Sequence, residues 1–248
     1  MTTATFHPDL FAGKVALVVG GTTGIGAGIA DTFAELGAVV TVTGATPEEC
    51  AAARSSQSFR CRDAVALDVR DGAALARLLG NLPRLDVLVN CAGIIRRGAE
   101  HDIAVFEQVL AVNLTGTKRA CTLAREKLKA AGGAIVNTAS VLSFFGGGLV
   151  PGYAASKGGV AQLTKSLAIA YALDGIRVNA VAPGWVATPL TQPLRDDPQR
   201  NAAIVARTPL GRWAQPDDIA GAAVFLCSPA ARFMTGVVLP VDGGYMIA

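Results

Sequence analysis

Tyr153 and Lys157 are the two residues whose types and spacing most clearly suggest acid–base chemistry. Residues four positions apart lie on the same face of a helix, and the small residues Ala154, Ala155 and Ser156 between them permit one. A phenol with a pKa near ~10 is a poor acid or base at neutral pH, but a nearby ammonium favours the phenolate and lowers that pKa. The alternative is an ordinary tyrosine beside a solvated lysine, so the rest of the chain must decide.

A glycine-rich turn at 20–26, GGTTGIG, could hold the phosphates of a dinucleotide. It lies between an apolar run typical of a buried parallel strand (14–21) and a segment with helical spacing (23–38). Glycines let phosphates approach the backbone, and a helix N-terminus offers unpaired N–H groups. The spacing differs from the usual G-x-G-x-x-G, and a plain tight turn is the alternative. The predicted contacts are Gly20, Thr22, Thr23, Gly24, Ile25 and Gly26.

The end of the second predicted strand, VTVTGATPEE, leaves the choice of dinucleotide open. An acid for the ribose of NAD is expected where Gly44 and Ala45 stand, and no arginine is present there for the 2′-phosphate of NADP. Because an unpaired phosphate dianion would need a cation, the pattern favours NAD(H) over NADP(H). Asp68 is placed to meet the adenine, although a turn acid or a helix cap explains it equally well.

Short apolar runs alternate with helical segments about seven times, which is typical of an α/β protein with a doubly wound parallel sheet. We therefore predict one Rossmann-fold domain over residues 1–248, with about seven strands and helices on both faces. The segment 187–216 breaks the alternation and is rich in Pro, Arg and Asp. We predict that it is a lid over the substrate, and a structural helical insertion is the alternative. The predicted strands are 14–21, 39–44, 64–69, 85–93, 133–140, 176–184 and 236–244.

The composition excludes several classes of function. Hydrophobic residues make up 51% of the 248 and charged residues 17%, so a large core is possible, and the net charge of +3 is not concentrated in a nucleic-acid or membrane patch. The five cysteines form no C-x-x-C pair or zinc-like cluster, so we expect free thiols and no metal. The N-terminal segment lacks a signal-peptide core, and we expect a soluble, cytoplasmic protein.

The motifs occur in a characteristic order, and together they resemble the short-chain dehydrogenase/reductase family from about residue 11 to the C-terminus. The motifs are the glycine turn, N-x-A-G at 90–93, Asn113, Ser140, Tyr153 and Lys157. The resemblance implies that Tyr153 is the general acid/base and that Lys157 lowers its pKa and binds the nicotinamide ribose. It also implies that Ser140 hydrogen-bonds the substrate oxygen and that Asn113 holds a water in the proton relay.

The same resemblance extends the cofactor site and suggests an assembly. It implies cofactor contacts at Asp68, Val69, Asn90, Ala92, Gly93, Tyr153, Lys157, Pro183, Gly184, Val186 and Thr188, and a homotetramer. Two residues depart from the family pattern, which has Thr where Val19 stands and Asn where Cys91 stands. We expect the side-chain hydrogen bonds that tie these two turns together to be missing.

The substrate is less well defined by the sequence. The stretches 92–100, 140–160 and 194–213 resemble the sugar-acid branch of the family, which includes 2-deoxy-D-gluconate 3-dehydrogenase and gluconate 5-dehydrogenase. Arg96 and Arg207 are candidate ligands for a carboxylate, although either could be a surface arginine. A 3-oxoacyl carrier protein reductase and a general ketone reductase are alternatives. A non-enzymatic scaffold that senses a dinucleotide is expected to lack Tyr153 or Lys157, and both are present.

Overall fold

The computed structural model describes residues 5–57 and 59–248 and contains a parallel sheet of seven strands. The strands are β1 (Val15–Val19), β2 (Val39–Gly44), β3 (Asp63–Ala66), β4 (Val87–Asn90), β5 (Ala134–Thr138), β6 (Arg177–Pro183) and β7 (Val238–Val241). Their order is β3-β2-β1-β4-β5-β6-β7, and all neighbouring pairs are parallel. The strand order reverses between β1 and β4, which in such sheets marks the ligand crevice. The predicted fold class is confirmed.

Nine α-helices occur in the described part of the chain. They are α1 (Gly24–Glu35), α2 (Pro47–Ser55), α3 (Gly72–Asn81), α4 (Ile103–Leu110), α5 (Thr117–Ala131), α6 (Pro151–Tyr171), α7 (Gln192–Arg195), α8 (Pro198–Arg207) and α9 (Pro216–Cys227). The sequence analysis did not predict α2 or α9. Their start signals are nevertheless present, since each has proline in its first turn and Thr46 caps α2 by accepting from the Glu49 N–H. None of the described helices is long and apolar enough to cross a membrane.

Helices cover both faces of the sheet, as predicted. On one face α1 and α9 bury Phe33 and Ile219 against the sheet, and on the other α3, α5 and α6 bury Leu75, Leu128 and Leu167. The strands between these layers are buried on both sides, which explains why β1 reads as an uninterrupted apolar run rather than an alternating one.

The sequence between about 103 and 130 predicts one helical segment, and in the structure this segment is interrupted. Between α4 and α5, residues 111–116 form a turn of π-helix that contains Asn113. The Thr117 hydroxyl donates to the Asn113 carbonyl over 2.7 Å. Asn113 therefore lies in a local irregularity and not in a regular helix, and π-helical turns of this kind are frequent at functional sites.

Candidate active site

A cleft of about 660 Å³ opens at the carboxyl ends of the strands, where the strand order reverses. Its wall brings together the glycine turn, the end of β2, the loop after β4 and the start of α6. The predicted residues in the wall are Gly20, Thr22, Thr23, Gly24, Ile25, Gly26, Asp68, Val69, Ala92, Gly93, Arg96, Tyr153, Lys157 and Thr188. A second hollow of about 690 Å³ lies beside β3 and α3, and none of the predicted site residues lines it.

The glycine turn has the shape and the free donors that a pyrophosphate needs. Thr23 is the N-cap of α1, but its side chain makes no capping hydrogen bond and the first turn of this described helix carries no acid. A Cβ at Gly26 would lie 2.0 Å from the Gly20 carbonyl oxygen, so only glycine fits there. The backbone is therefore close-packed and the N–H groups of the helix start are available to an anion. These residues fit a dinucleotide.

Two acidic side chains lie at the far end of the cleft from Tyr153. Glu49 accepts a hydrogen bond from the Ala45 N–H over 2.8 Å and lines the cleft, although the sequence analysis did not single it out. Asp68 is paired with Arg70, whose Nη2 lies 2.6 Å from its Oδ2, and this hydrogen bond holds the pKa of Asp68 below its usual range. The charge of Arg70 is therefore balanced by Asp68 and does not compensate Glu49, whose carboxylate lies near the end of β2.

Ser140 lies near enough to the Tyr153 phenol to act on its pKa. Burial raises the pKa of Tyr153, while the hydrogen bond from Ser140 and the charge of Arg97 lower it. The expected lowering of this pKa by Lys157 is not found in the described structure. The Lys157 Nζ lies 5.6 Å from the centroid of the Tyr153 ring and donates to the Thr138 carbonyl over 2.6 Å. Burial in turn lowers the pKa of Lys157 to about 8.

Asn113 fastens the loop after β4 to α6. Its Oδ1 accepts from the Ile94 N–H over 2.8 Å, and its Nδ2 donates to the Ile94 carbonyl and to the Ser156 hydroxyl over 2.9 and 3.0 Å. A Cβ at Gly93 would lie 3.4 Å from the Asn113 Oδ1 and 3.8 Å from the Lys157 Nζ. Asn113 and Lys157 therefore both lie beside Gly93, and a proton relay through them stays a prediction.

Several predicted cofactor residues lie behind the cleft wall rather than in it. Asn90 is buried and donates its Nδ2 to the Asn137 Oδ1 over 2.9 Å. Val186 is buried beside Ala214 in an isolated parallel bridge. These residues could therefore contact a ligand in the cleft only through backbone atoms or after the cleft wall has moved. The residues concerned are Asn90, Pro183, Gly184 and Val186.

The two departures from the family pattern leave the turns connected. The N–H groups of Cys91 and Ala92 both donate to the Val19 carbonyl over 2.8 Å. The Cys91 Sγ also lies 3.2 Å from the Thr138 Oγ1. Backbone hydrogen bonds thus hold these turns together, and the thiol adds a weak contact to β5. Burial raises the pKa of Cys91, so its thiolate is disfavoured.

The structure separates the arginines that the sequence could not rank. The Arg96 side chain is exposed at the cleft. Arg207 stands apart from the cleft, with its guanidinium 5.8 Å from the Phe145 ring and 4.4 Å from the Tyr245 ring. Arg97, which the sequence analysis did not single out, is exposed like Arg96 and is not among the residues that line the cleft, but its charge lowers the pKa of Tyr153. Its own pKa is lowered by burial and by the charge of Arg200. Because Arg96 and Arg97 are adjacent in the same loop, no sequence pattern distinguishes their roles.

Comparisons with known proteins agree with this geometry. The family model described as enoyl-(acyl carrier protein) reductase, a short-chain dehydrogenase model, matches residues 19–246. The chain is 46% identical to a 2-dehydro-3-deoxy-D-gluconate 5-dehydrogenase of Bacillus subtilis, over 94% of this chain and 95% of that protein. It is 42% identical to a cis-4-hydroxycyclohexanecarboxylate dehydrogenase of Sinomonas cyclohexanicum, over 96% and 98%.

A solved structure is similarly close. A protein of Beutenbergia cavernae, assigned as an NAD(P)-dependent gluconate 5-dehydrogenase and containing NADP at low occupancy, superposes with a TM-score of 0.89. The two chains are 42% identical, and the alignment covers 98% of this chain and all of that one. Both the sequence relatives and the solved relative thus extend over nearly the whole chain.

Proposed function

Because the chain belongs to the short-chain dehydrogenase/reductase family, we propose that it oxidises a secondary alcohol whose hydroxyl lies δ to a carboxylate. Its reaction class is that of an NAD(P)-dependent dehydrogenase acting on CH–OH groups. Seven strands in one sheet support a single dinucleotide-binding domain over residues 1–248, of which residues 1–4 and 58 lie outside the described chain. The two alternative functions, 3-oxoacyl carrier protein reductase and general ketone reductase, would need no carboxylate on the substrate.

The δ position is shared by the substrates that the names of the three relatives described above give. Numbering from the carboxyl carbon, position 5 of a gluconate is the δ carbon. In a cyclohexanecarboxylate, ring carbon 1 is the α carbon and ring carbon 4 is again the δ carbon. An open-chain sugar acid and a cyclic hydroxy acid therefore share one separation of carboxylate and hydroxyl. A site that fixes these two groups would accept both skeletons.

The observation that carries the proposal is the δ separation shared by these relatives, and the arginine-bearing loop after β4 supplies the cation that it needs. A carboxylate needs a cation at a fixed separation from the reacting hydroxyl, and Arg97 is the guanidinium whose charge acts on the Tyr153 phenol. The Arg97 side chain is exposed, and partial desolvation together with the charge of Arg200 lowers its pKa. The sequence-based candidates stay alternative proposals, because Arg96 is exposed like Arg97 and lines the cleft, and Arg207 is stacked on aromatic rings.

The side chains of the cleft have complementary roles in this reaction. The nicotinamide, when bound, accepts a hydride from the carbinol carbon, and the glycine turn would hold its pyrophosphate. Tyr153, as phenolate, takes the proton of the substrate hydroxyl, and Ser140 holds that oxygen by a hydrogen bond. Lys157 carries the proton onward toward Asn113 and contributes a donor for the nicotinamide ribose. In the reverse direction Tyr153 returns the proton to the carbonyl oxygen.

The proposed substrate class is tested by one matched pair of compounds. We expect cis-4-hydroxycyclohexanecarboxylate to be oxidised with a kcat/KM at least ~10-fold above that of the corresponding carboxamide, which keeps the shape and lacks the charge. The measurement is the absorbance of reduced nicotinamide with each compound. Equal kcat/KM values for the two compounds would contradict a carboxylate requirement.

We further propose that NAD(H) binds more tightly than NADP(H). Glu49 places a carboxylate at the end of β2, where the 2′-phosphate of NADP would meet a like charge, and Arg70 is paired with Asp68. The Beutenbergia relative contains NADP, so titration of both cofactors by calorimetry is the deciding measurement. We expect Glu49→Gln to reduce the ratio of the NADP(H) Kd to the NAD(H) Kd by roughly threefold to tenfold, mainly because NADP(H) binds more tightly. Tighter binding of NADP(H) by the unmodified protein would overturn the preference.

The segment 187–216 is proposed as a lid. Pro189 and Leu190 line the cleft, and α7 and α8 follow directly. Closure of this segment would exclude water from the reacting carbon. We also propose that the protein works in the reducing cytoplasm, because its five cysteines are free thiols.

A homotetramer built on α5 and α6 is the proposed assembly. Leu123 on α5 is 39% exposed and Ile169 on α6 is 80% exposed, which leaves an apolar helical surface. A Cβ at Gly158 would meet open space, so another helix could approach α6 closely there. A Cβ at Gly159 would lie 2.7 Å from the Leu114 side chain, so Gly159 packs against its own chain. We expect sedimentation at micromolar concentration to give a species of four chains. A monomer would contradict the assembly.

A further inference from the structure

Glu100 is a buried carboxylate that the proposed reaction does not use. It lies in the short 3-10 turn Ala99–His101 and is only 1% exposed. Its Oε1 accepts from the Arg96 N–H and its Oε2 accepts from the Tyr153 N–H, each over 2.7 Å. One side chain therefore connects the loop that carries the arginines to the residue that carries the phenol.

The N-terminus of α6 has no cap of its own. Val150 precedes the helix without a side-chain capping hydrogen bond, and Pro151 supplies no N–H. The Glu100 carboxylate fills this place from a distant part of the chain, and a negative charge is favourable at a helix N-terminus. The fit is tight, because a Cβ at Gly152 would lie 3.3 Å from the Glu100 Oε2 and 3.2 Å from the Phe106 ring.

We infer that Glu100 is a positioning residue that sets the arginine-bearing loop and Tyr153 in one fixed geometry. The inference rests on the proposed function, because that function requires a fixed separation between the carboxylate-binding guanidinium and the phenol. A δ-hydroxy acid is held at both ends only if Arg97 and Tyr153 keep their relative placement. Glu100 joins the two segments by two hydrogen bonds to backbone N–H groups, so the connection does not depend on flexible side-chain partners.

Glu100 also acts on the charge of the phenol. Its negative charge raises the pKa of Tyr153, in addition to the larger effect of burial. The groups that oppose it are Arg97 from the loop after β4 and Ser140 after β5, while Lys157 lies over the ring from α6 itself. Removal of the Glu100 charge should therefore lower the pKa of Tyr153 and move the pH dependence of kcat/KM to lower pH.

The test compares Glu100→Gln with Glu107→Gln, a matched change at an exposed carboxylate on α4. The Gln side chain has one acceptor oxygen, so it can accept from only one of the two N–H groups of Arg96 and Tyr153. Its NH2 group then faces the other N–H, and that hydrogen bond is lost. We expect Glu100→Gln to lower kcat/KM for the hydroxy acid by ~10-fold or more, with dinucleotide affinity retained within about twofold. The limb on which kcat/KM for alcohol oxidation rises with pH should move to lower pH. Glu100→Asp, which keeps the charge with a shorter reach, should lose kcat/KM without moving that limb.

A second measurement is independent of turnover. Hydrogen exchange of peptides that contain the Arg96 and Tyr153 amides should be faster in Glu100→Gln than in Glu107→Gln or the unmodified protein. Unchanged exchange in both peptides would overturn the connection even if no hydroxy acid is oxidised, which separates its failure from that of the proposed function. If Glu100→Gln left both kcat/KM and the pH dependence unchanged, the positioning role would be wrong. If that variant does not fold, an unchanged kcat/KM in Glu100→Asp would overturn the role.

Discussion

Tyr153→Phe is expected to lower kcat by ~10²–10⁴-fold while leaving dinucleotide affinity unchanged. Phenylalanine keeps the ring that packs at the start of α6 and removes only the hydroxyl that meets Ser140. The proton of the substrate then loses its acceptor at this end of the cleft, since Lys157 donates to the Thr138 carbonyl and lies 5.6 Å from the ring centroid. The measurement is single-turnover formation of reduced nicotinamide, together with a cofactor titration.

The matched control is Tyr171→Phe, at a buried tyrosine on the same helix that does not line the cleft. Its ring stacks with Arg125, whose guanidinium carbon lies 4.6 Å from the centroid, and phenylalanine preserves that ring. This variant should keep normal turnover. If Tyr153→Phe turned over at the rate of Tyr171→Phe, the phenol would not be the proton acceptor.

Arg97→Met is expected to lower kcat/KM for a δ-hydroxy acid by ~10-fold or more, because a charge-assisted hydrogen bond to a carboxylate contributes about 1.5–3 kcal/mol. Methionine keeps the aliphatic bulk of the side chain and removes the guanidinium. The loss should be confined to charged substrates, so the corresponding carboxamide should change little. The limb on which kcat/KM rises with pH should also move to higher pH, because Arg97 lowers the pKa of Tyr153.

Arg96→Met is the natural comparison, since it removes the same charge from the neighbouring, exposed position that the sequence had favoured. We expect a smaller loss and an unmoved pH limb. A larger loss in Arg96→Met than in Arg97→Met would return the carboxylate-binding role to Arg96. Equal losses on the acid and the carboxamide would indicate that both arginines are structural.

The fold could be predicted because its signals are local and repeated. Buried strands such as β1 are apolar throughout, glycines follow them, and the switch between β1 and β4 follows from the order of elements. The helices that were missed, α2 and α9, are short or follow an irregular segment, and their proline-and-acid starts resemble turns. The π-helical turn around Asn113 has no sequence signal, because its residues are compatible with a regular helix.

The composition of the site was predictable only where residue type alone decides the chemistry. Tyr153, Lys157 and the glycine turn could be identified because few other residue types would serve. Arg97 and Glu100 could not, because their roles depend on which way side chains point from one loop and on a contact with the distant start of α6. The electrostatics also depend on burial, which raises the pKa of Tyr153 and lowers that of Lys157 to about 8.

The most direct measurement follows the hydrogen of the substrate. The unmodified protein is incubated with NAD and cis-4-hydroxycyclohexanecarboxylate that carries deuterium on the carbinol carbon, and the reduced cofactor is examined by mass spectrometry. Our account predicts that each reduced nicotinamide carries one deuterium, that the product is the ketone, and that Tyr153→Phe forms this pair far more slowly. Reduced cofactor without deuterium, or no reduced cofactor from any δ-hydroxy acid under conditions where NAD is bound, would contradict it.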